Sequence, residues 1–348
     1  MANRSTDRFF IFHAAGLLAL MVASASTQAA EPLQMILTVD CEPGKNCWIV
    51  NYVDHDPTTG LSDYTCGKAT YNAPPGNQHK GTDFAIRDLA VMRAGVIVRA
   101  SAPGIVAGAR DGMKDVNIRK LGVAAVKGKE CGNGVRIEHG NGWATQYCHM
   151  LQGSIVVKKG TKVKAGQSLG LVGLSGLTEF PHLHIQVSKD KITVDPFAGL
   201  KRRKRCQVGE GALWKSDVMA SLPYQPTALF SAGISGTPPE SDLMREGAYQ
   251  SPTLSPLSPS LILWVGIYRL NAGDELTFTI TGPDGKAVLK DTRKAKKNVT
   301  RRFEFRGVRR KTKAMKLGTY QGKITLVRKA TSPGGPLNIA ITRQVSVE

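Results

Sequence analysis

Hydrophobic and polar positions alternate in short runs along most of this 348-residue chain. Successive side chains of a strand point to opposite faces, so such runs predict half-buried β-strands. Between residues 77 and 197 they fall at Gly81 to Ile86, Val96 to Ala100, Gly104 to Ala109, Val135 to His139, Trp143 to His149 and Ser168 to Val172. Gly, Pro or Asn bounds each run, the signature of a compact antiparallel sheet or barrel. The stretch Phe180 to Val187, reading FPHLHIQV, has the same period, so His182 and His184 share a face and Leu183 lies opposite. Asp111 to Lys129 has no clear period and reads as a surface loop. Strand patterns return at Leu261 to Tyr268, Glu275 to Thr281, Ala287 to Leu289, Arg302 to Phe305, Thr319 to Val327 and Leu337 to Val347. The turn Pro283-Asp284-Gly285-Lys286 joins two of these as a hairpin. Few segments sustain a helical period, so the expected fold class is mostly β. An antiparallel sheet domain over 77–200 is followed by a small immunoglobulin-like β-sandwich over 261–348.

Two other stretches complete the organisation. Residues 31–76 hold Cys41, Cys47 and Cys66 together with the polar run Asn51 to Pro57, and read as a disulfide-pinned extension. Residues 201–260 open with five consecutive basic residues, Lys201 to Arg205, and close with the Ser/Pro-rich run Ser251 to Ser260. They read as an extended connection or as loops at the edge of the second domain.

The start of the chain changes the picture of where the protein works. Arg4 and Arg8 precede the largely apolar run Phe9 to Leu20, and small residues follow at Ala23, Ser24 and Ala25. This is the pattern of an export signal over 1–25, cleaved between 25 and 30. The run is shorter than the roughly 20 residues that span a bilayer, so no transmembrane anchor is expected after cleavage. Six cysteines suit an oxidising compartment, and an even count favours disulfides over a Cys-based metal site. The favoured pairs are Cys41 with Cys47, and Cys131 with Cys148, the latter tying two arms of a hairpin that turns near Gly140-Asn141-Gly142. The expected location is the periplasm, with secretion as second choice.

Net charge narrows the partners. With 47 Lys and Arg against 27 Asp and Glu, the formal charge is +20, which favours polyanions. Export argues against nucleic acid and leaves carboxylate-bearing wall peptides and phosphorylated lipid head groups. Between Lys286 and Lys313 there are thirteen Lys or Arg and two acids, so the C-terminal domain is a candidate docking face for anionic envelope polymers.

The candidate chemistry lies in the histidines, of which there are seven, one within the signal. His79 and Asp83 stand four residues apart around Gly81, where a tight bend would bring both to one point. His149 ends one strand run, with Cys148 on the other face, and His182 and His184 share a face of another. Catalytic zinc takes three protein ligands, often two His and a carboxylate, and keeps one position for water. Two further imidazoles then supply a base and an oxyanion or leaving-group partner for amide hydrolysis. His55 and His139 stand outside the pattern and read as structural.

The ordered set His79-x-x-x-Asp83, Tyr147-Cys148-His149, Lys164-Ala-Gly-Gln-Ser-Leu-Gly170 and His182-Leu183-His184 resembles the lysostaphin/LytM-type zinc metallopeptidases, metallopeptidase family 23. The glycine-rich run Gly166 to Gly176 and the segment Val98 to Val106 match the same habit. The resemblance implies a groove of antiparallel strands, of the duplicated hybrid motif-like type, with Zn2+ held by His79, Asp83 and His184. His149 and His182 would be the catalytic imidazoles. It implies peptidoglycan as partner and substrate, with hydrolysis of peptide bonds at its cross-links. Some proteins with this fold have lost ligands and activate other wall hydrolases instead; this chain keeps all five positions, which favours the enzyme. The long insertion between Gly104 and Gly132 and the pair Cys131 and Cys148 are not features of every member, and both would reshape the groove rim.

Overall fold

In the computed structural model, described for residues 1–2, 33–72, 78–200, 208–209, 211–310, 313–330 and 335–348, the alternating runs become strands of three main sheets. The first sheet contains β1 (Cys47–Asn51), β2 (Thr82–Ile86), β4 (Gly104–Arg110), β5 (Asn133–Gly140), β6 (Trp143–Met150), β7 (Lys162–Val163), β9 (His182–Lys189) and β10 (Ile192–Val194). Its order is β1-β2-β9-β6-β5-β4-β7, with β10 beside β9, and every pairing is antiparallel. A ribbon of β3 (Ile97–Arg99) and β8 (Ser168–Leu171) packs below it.

Alternation decides which face is which. Phe84 and Ile86 on β2, Ile137 on β5, Tyr147 on β6, and Leu183, Ile185 and Val187 on β9 enter one apolar core. The intervening positions Asp83, His182 and His184 face the other way. Register places Asp83 opposite His184, and Ala85 opposite His182.

The N-terminal segment does more than append to this sheet. Its strand β1 extends the sheet beyond β2, and the Cys41–Cys47 disulfide closes the turn leading into it. Cys66 is also disulfide-bonded. Cys47 and Ile49 enter the main core, while Trp48 and Val50 join a separate cluster on the opposite face.

The C-terminal region is a sandwich of two sheets. One orders β11 (Ala228–Ser235), β13 (Ser260–Leu270) and β16 (Val299–Arg309). The other orders β12 (Thr253–Leu254), β18 (Leu337–Val347), β17 (Gly318–Arg328), β14 (Glu275–Thr281) and β15 (Ala287–Lys294). Leu263, Val265 and Ile267 from the first sheet meet Phe278, Ile280, Ile324 and Leu326 from the second. A fully buried pair, Arg328 Nε to Asp274 Oδ1 at 2.7 Å, pins one end. Inside the core this pair is held by further bonds to Thr227 and the Arg269 carbonyl, which offset part of its desolvation.

Three sequence expectations need correction here. The stretch 201–260 is no simple connection, because β11 and β12 lie within it and the sandwich starts at least as early as Ala228. All eight residues of β11 are buried, so the strand shows no alternation to read. The loop Asp111 to Lys129 contains a helical turn at Ile118–Leu121 and a 3-10 turn at Val123–Val126. Cys148 stands directly opposite His184 in the register, on the site face, where simple alternation assigns it to the face away from His149. The export segment, apart from Met1 and Ala2, lies outside the described residues, as do Lys201 to Arg205 and Cys206. Among the described residues no helix is long and apolar enough to cross a membrane.

The Cys131–Cys148 disulfide, 17 residues apart, holds the end of β6 beside His149. Closing a loop of that size stabilises by about 3 kcal/mol through the unfolded chain. The double variant Cys131→Ala/Cys148→Ala is expected to lose roughly 2–4 kcal/mol in chemical denaturation. An unchanged midpoint would mean that the bulged end of β6 holds itself.

Candidate metal and catalytic site

The site is assembled on adjacent strands by cross-strand register and one irregularity. His79 precedes β2, and Gly81 lets the chain turn close against β9. A Cβ at Gly81 would lie 2.6 Å from the His184 ring and from the Ile185 carbonyl, so only glycine fits there. The requirement is close approach, not an unusual backbone angle.

His149 arrives by a different route. Pure alternation along β6 would send it to the core with Tyr147. Instead the register of β5 slips between Asn133 and Val135, leaving Cys148 and His149 bulged opposite Gly134. His149 takes φ 62°, a left-handed conformation uncommon for a non-glycine residue. A bulge of this kind re-aims a side chain. The His149 ring comes to 4.7 Å from that of His182 and 5.9 Å from that of His184.

Hydrogen bonds orient each ring. His79 Nδ1 donates to the Tyr52 carbonyl at 2.7 Å, His149 Nδ1 to the Ser175 carbonyl at 2.8 Å, and His182 Nδ1 to the Phe180 carbonyl at 2.9 Å. With Nδ1 protonated, Nε2 of each ring carries the lone pair. His79 Nε2 then lies 3.1 Å from Asp83 Oδ1, and His184 Nδ1 lies 2.9 Å from the same oxygen. The two imidazole nitrogens are 3.1 Å apart. Three ligand-type atoms this close require a cation or shared protons between them. Two imidazole nitrogens and one carboxylate oxygen form a donor set of catalytic zinc, whose bond lengths of about 2.0–2.1 Å place ligand atoms about 3.3 Å apart. The residues fit the metal.

The second oxygen of Asp83 is also committed. Asn51 Nδ2, from β1, donates to Oδ2 at 2.7 Å. Arg269, from the sandwich, in turn donates to Asn51 Oδ1, and also to the carbonyls of Val50 at 3.0 Å, Lys68 at 2.8 Å and Thr70 at 3.1 Å. The carboxylate is thus oriented through two segments outside residues 77–200. Tyr71 stacks on the His79 ring at 4.4 Å.

Burial sets the electrostatics. His79, Asp83, His149 and His182 are all buried, and the His184 side chain, 14% exposed, is the most open of the five. Burial opposes ionisation of Asp83, but His79, His182 and His184 around it outweigh that and hold its pKa well below the usual carboxylate range. Burial, reinforced by neighbouring imidazoles, pushes His149 well below the ordinary imidazole value. Burial also lowers His182, against the pull of Asp83.

All five residues singled out in the sequence therefore meet at one place. His55 and His139 lie elsewhere. His55 Nε2 pairs with Asp195 at 2.6 Å, and His139 bonds to the Pro103 carbonyl and Thr145. Asn51 and Arg269 escaped the sequence reading. Neither lies in a motif, and their roles depend on which segments pack together.

Residues 77–196 match the model of Peptidase family M23. Peptidoglycan DD-endopeptidase ShyA of Vibrio cholerae is 37% identical over 109 residues, 31% of this chain and 20% of that protein. Cell division protein DipM of Caulobacter vibrioides is 40% identical over 77 residues, 20% of this chain and 12% of that protein. The catalytic domain of the antimicrobial peptidase lysostaphin from Staphylococcus simulans aligns at 26% identity and TM-score 0.26, covering 36% of this chain and 85% of that one. The chain thus spans about a fifth or less of the length of these two curated relatives. With the order of its motifs and the convergence of their side chains, the segment 77–196 is a domain of peptidase family M23.

Proposed function

We propose that this chain is an exported zinc endopeptidase that hydrolyses peptide bonds in peptidoglycan, at its cross-links. The observation that carries the reading is the convergence of His79, Asp83 and His184 within 4.8 Å, with the rings of His149 and His182 beside them. Zinc in such a site acts as a Lewis acid that polarises a carbonyl and makes water acidic near neutral pH.

The chain's own residues do the rest. His149, its Nδ1 donating to the Ser175 carbonyl, presents a free Nε2 that accepts the proton of the attacking water. His182, its Nδ1 held by the Phe180 carbonyl, donates from Nε2 to the developing oxyanion in its imidazolium form, and the proton that His149 took from water passes to the leaving amine. A low pKa suits His149, which must be neutral before it can accept a proton. A periplasmic location suits the disulfides and the expected export signal. The wall-binding regulator remains the second reading, and the retained set of five side chains weighs against it.

Three measurements test this. Zinc-loaded protein incubated with purified sacculi is expected to release muropeptides with new peptide ends, identified by mass spectrometry. His149→Ala and His182→Ala should retain zinc by elemental analysis and lose about 100- to 10,000-fold in rate. His184→Ala should lose both. Bound zinc with no new ends in the wild type would move the weight to the regulator.

The pH profile gives a second test. A general base is lost when it protonates, and its pKa here lies below the ordinary imidazole value of about 6.5. The rate is expected to hold as pH falls through 6.5 and to decline only below it. An acid limb centred at 6.5 or higher would contradict a buried, desolvated base.

Removing the support of Asp83 is the third. Asn51→Ala is expected to weaken zinc affinity or activity by about 10- to 100-fold, the usual effect of losing an outer partner of a ligand. Unchanged affinity and rate would show that the imidazoles alone orient the carboxylate.

A further inference from the structure

Beside His182 lies a cation that pairs with no carboxylate among the described residues. Arg301, on β16 of the sandwich, sits among four aromatic rings, with its guanidinium 5.2 Å from the centroids of Phe180 and Phe230 and 5.7 Å from those of Tyr268 and Phe303. Among the described residues its buried Nε has no hydrogen-bond partner, and neither has the buried hydroxyl of Tyr268. Among the described residues no carboxylate comes within ion-pair distance of Arg301. The nearby Glu179 is taken by Arg119, at 2.7 Å. Burial lowers the pKa of Arg301, as expected of a cation without a partner.

Cation–π contacts attract a guanidinium, but they satisfy none of its N–H donors. Buried donors in folded proteins are nearly always paired, so two orphan donors side by side call for an acceptor that binds from outside. Position indicates which acceptor. Phe180 neighbours both Arg301 and the His182 ring, whose centroid lies 4.7 Å from its own. Arg301 and His182 thus share one aromatic neighbour. Arg119, from the inserted loop, and Arg245, 6.0 Å from the Phe303 ring, add positive charge to the same rim.

Resting on the reading of the site as a peptidase of wall peptides, we propose that Arg301, with Phe180 and Tyr268, forms a subsite for a carboxylate of the stem peptide and sets a preference for anionic over amidated substrates. The planar guanidinium offers a bidentate fork that matches a carboxylate, and the surrounding rings exclude water from the pair. The sandwich thereby forms a wall of the substrate site as well as any docking face it carries. The neighbouring Arg119–Glu179 pair keeps Glu179 from competing for the fork.

The test compares two forms of one ligand by calorimetry on the full, zinc-loaded chain. One is a disaccharide-tetrapeptide released from sacculi, which has no cross-link to cut; the other is the same compound with its carboxylates amidated. The wild type should bind the free carboxylate form on the order of tenfold more tightly or better. Arg301→Gln should remove that ratio and leave the affinity for the amidated form unchanged. Equal affinity for both forms in the wild type, an unchanged ratio in Arg301→Gln, or no binding of either form overturns the subsite. Should Arg301→Gln fail to fold, Arg301→Lys decides, since it keeps the charge and loses the fork. A reduced ratio is expected, and a ratio equal to the wild type overturns the guanidinium as ligand. Sacculus turnover measured in parallel separates the two readings. Intact sacculi with the preference retained would remove the peptidase and keep the subsite, whereas new peptide ends without the preference would do the reverse.

Discussion

The carboxylate of Asp83 is the point from which the rest of the structure follows. It is buried and ionised, a combination that costs several kcal/mol unless both oxygens are satisfied. One oxygen faces the imidazoles of His79 and His184, and the other accepts from Asn51. Asn51 is itself held by Arg269, whose carbonyl receives a bond from the buried Arg328 of the sandwich. A single charge thus ties together the sheet of residues 77–200, the disulfide-pinned N-terminal segment and the C-terminal sandwich. None of the three can be described apart from the site.

This dependence explains what could be read in the sequence. Strands with one face in the core and one toward the site alternate, so β2, β6 and β9 and the histidine pair on β9 were legible. The convergence of His79, Asp83, His149, His182 and His184 was legible because residues of a few chemical types stand at short spacings there. The Cys41–Cys47 and Cys131–Cys148 pairs, both favoured in the sequence, are present. Less legible were features that depend on three-dimensional packing. The strand β11 is buried on both faces and has no period. The bulge that turns His149 toward the site leaves no local mark, because Cys148-His149 differs in no obvious way from a regular strand end. Asn51 looked like part of a polar loop, and its importance comes only from lying opposite Asp83 in the register.

The same packing alters the meaning of the basic charge. Read along the chain, the thirteen Lys and Arg between Lys286 and Lys313 form one candidate docking face. In the structure they divide. Arg301 is enclosed by aromatic rings near His182, whereas Arg302 and the Lys286 and Lys290 side chains are exposed on β16 and around β15. Alternation on a strand separates a binding side chain from its solvated neighbour by one residue. An exposed basic group acts through a long-range field, whereas an enclosed arginine can recognise a carboxylate only at short range.

Cutting the chain before Leu261 therefore cannot isolate targeting from catalysis. It would strand β11 without its partner β13 and uncover Phe180 and Phe230, which pack against Tyr268. It would also remove Arg269, which holds Asn51, so the Asp83 carboxylate would lose part of its support along with any docking face. Loss of activity in such a truncation would follow from the physics of Asp83 whatever the sandwich binds. Charge reversal at exposed positions such as Lys290 and Lys294 on β15 leaves the aromatic interface and the Arg269–Asn51–Asp83 chain intact. A change confined to wall affinity in that variant belongs to the surface, because nothing that orients the site has been touched.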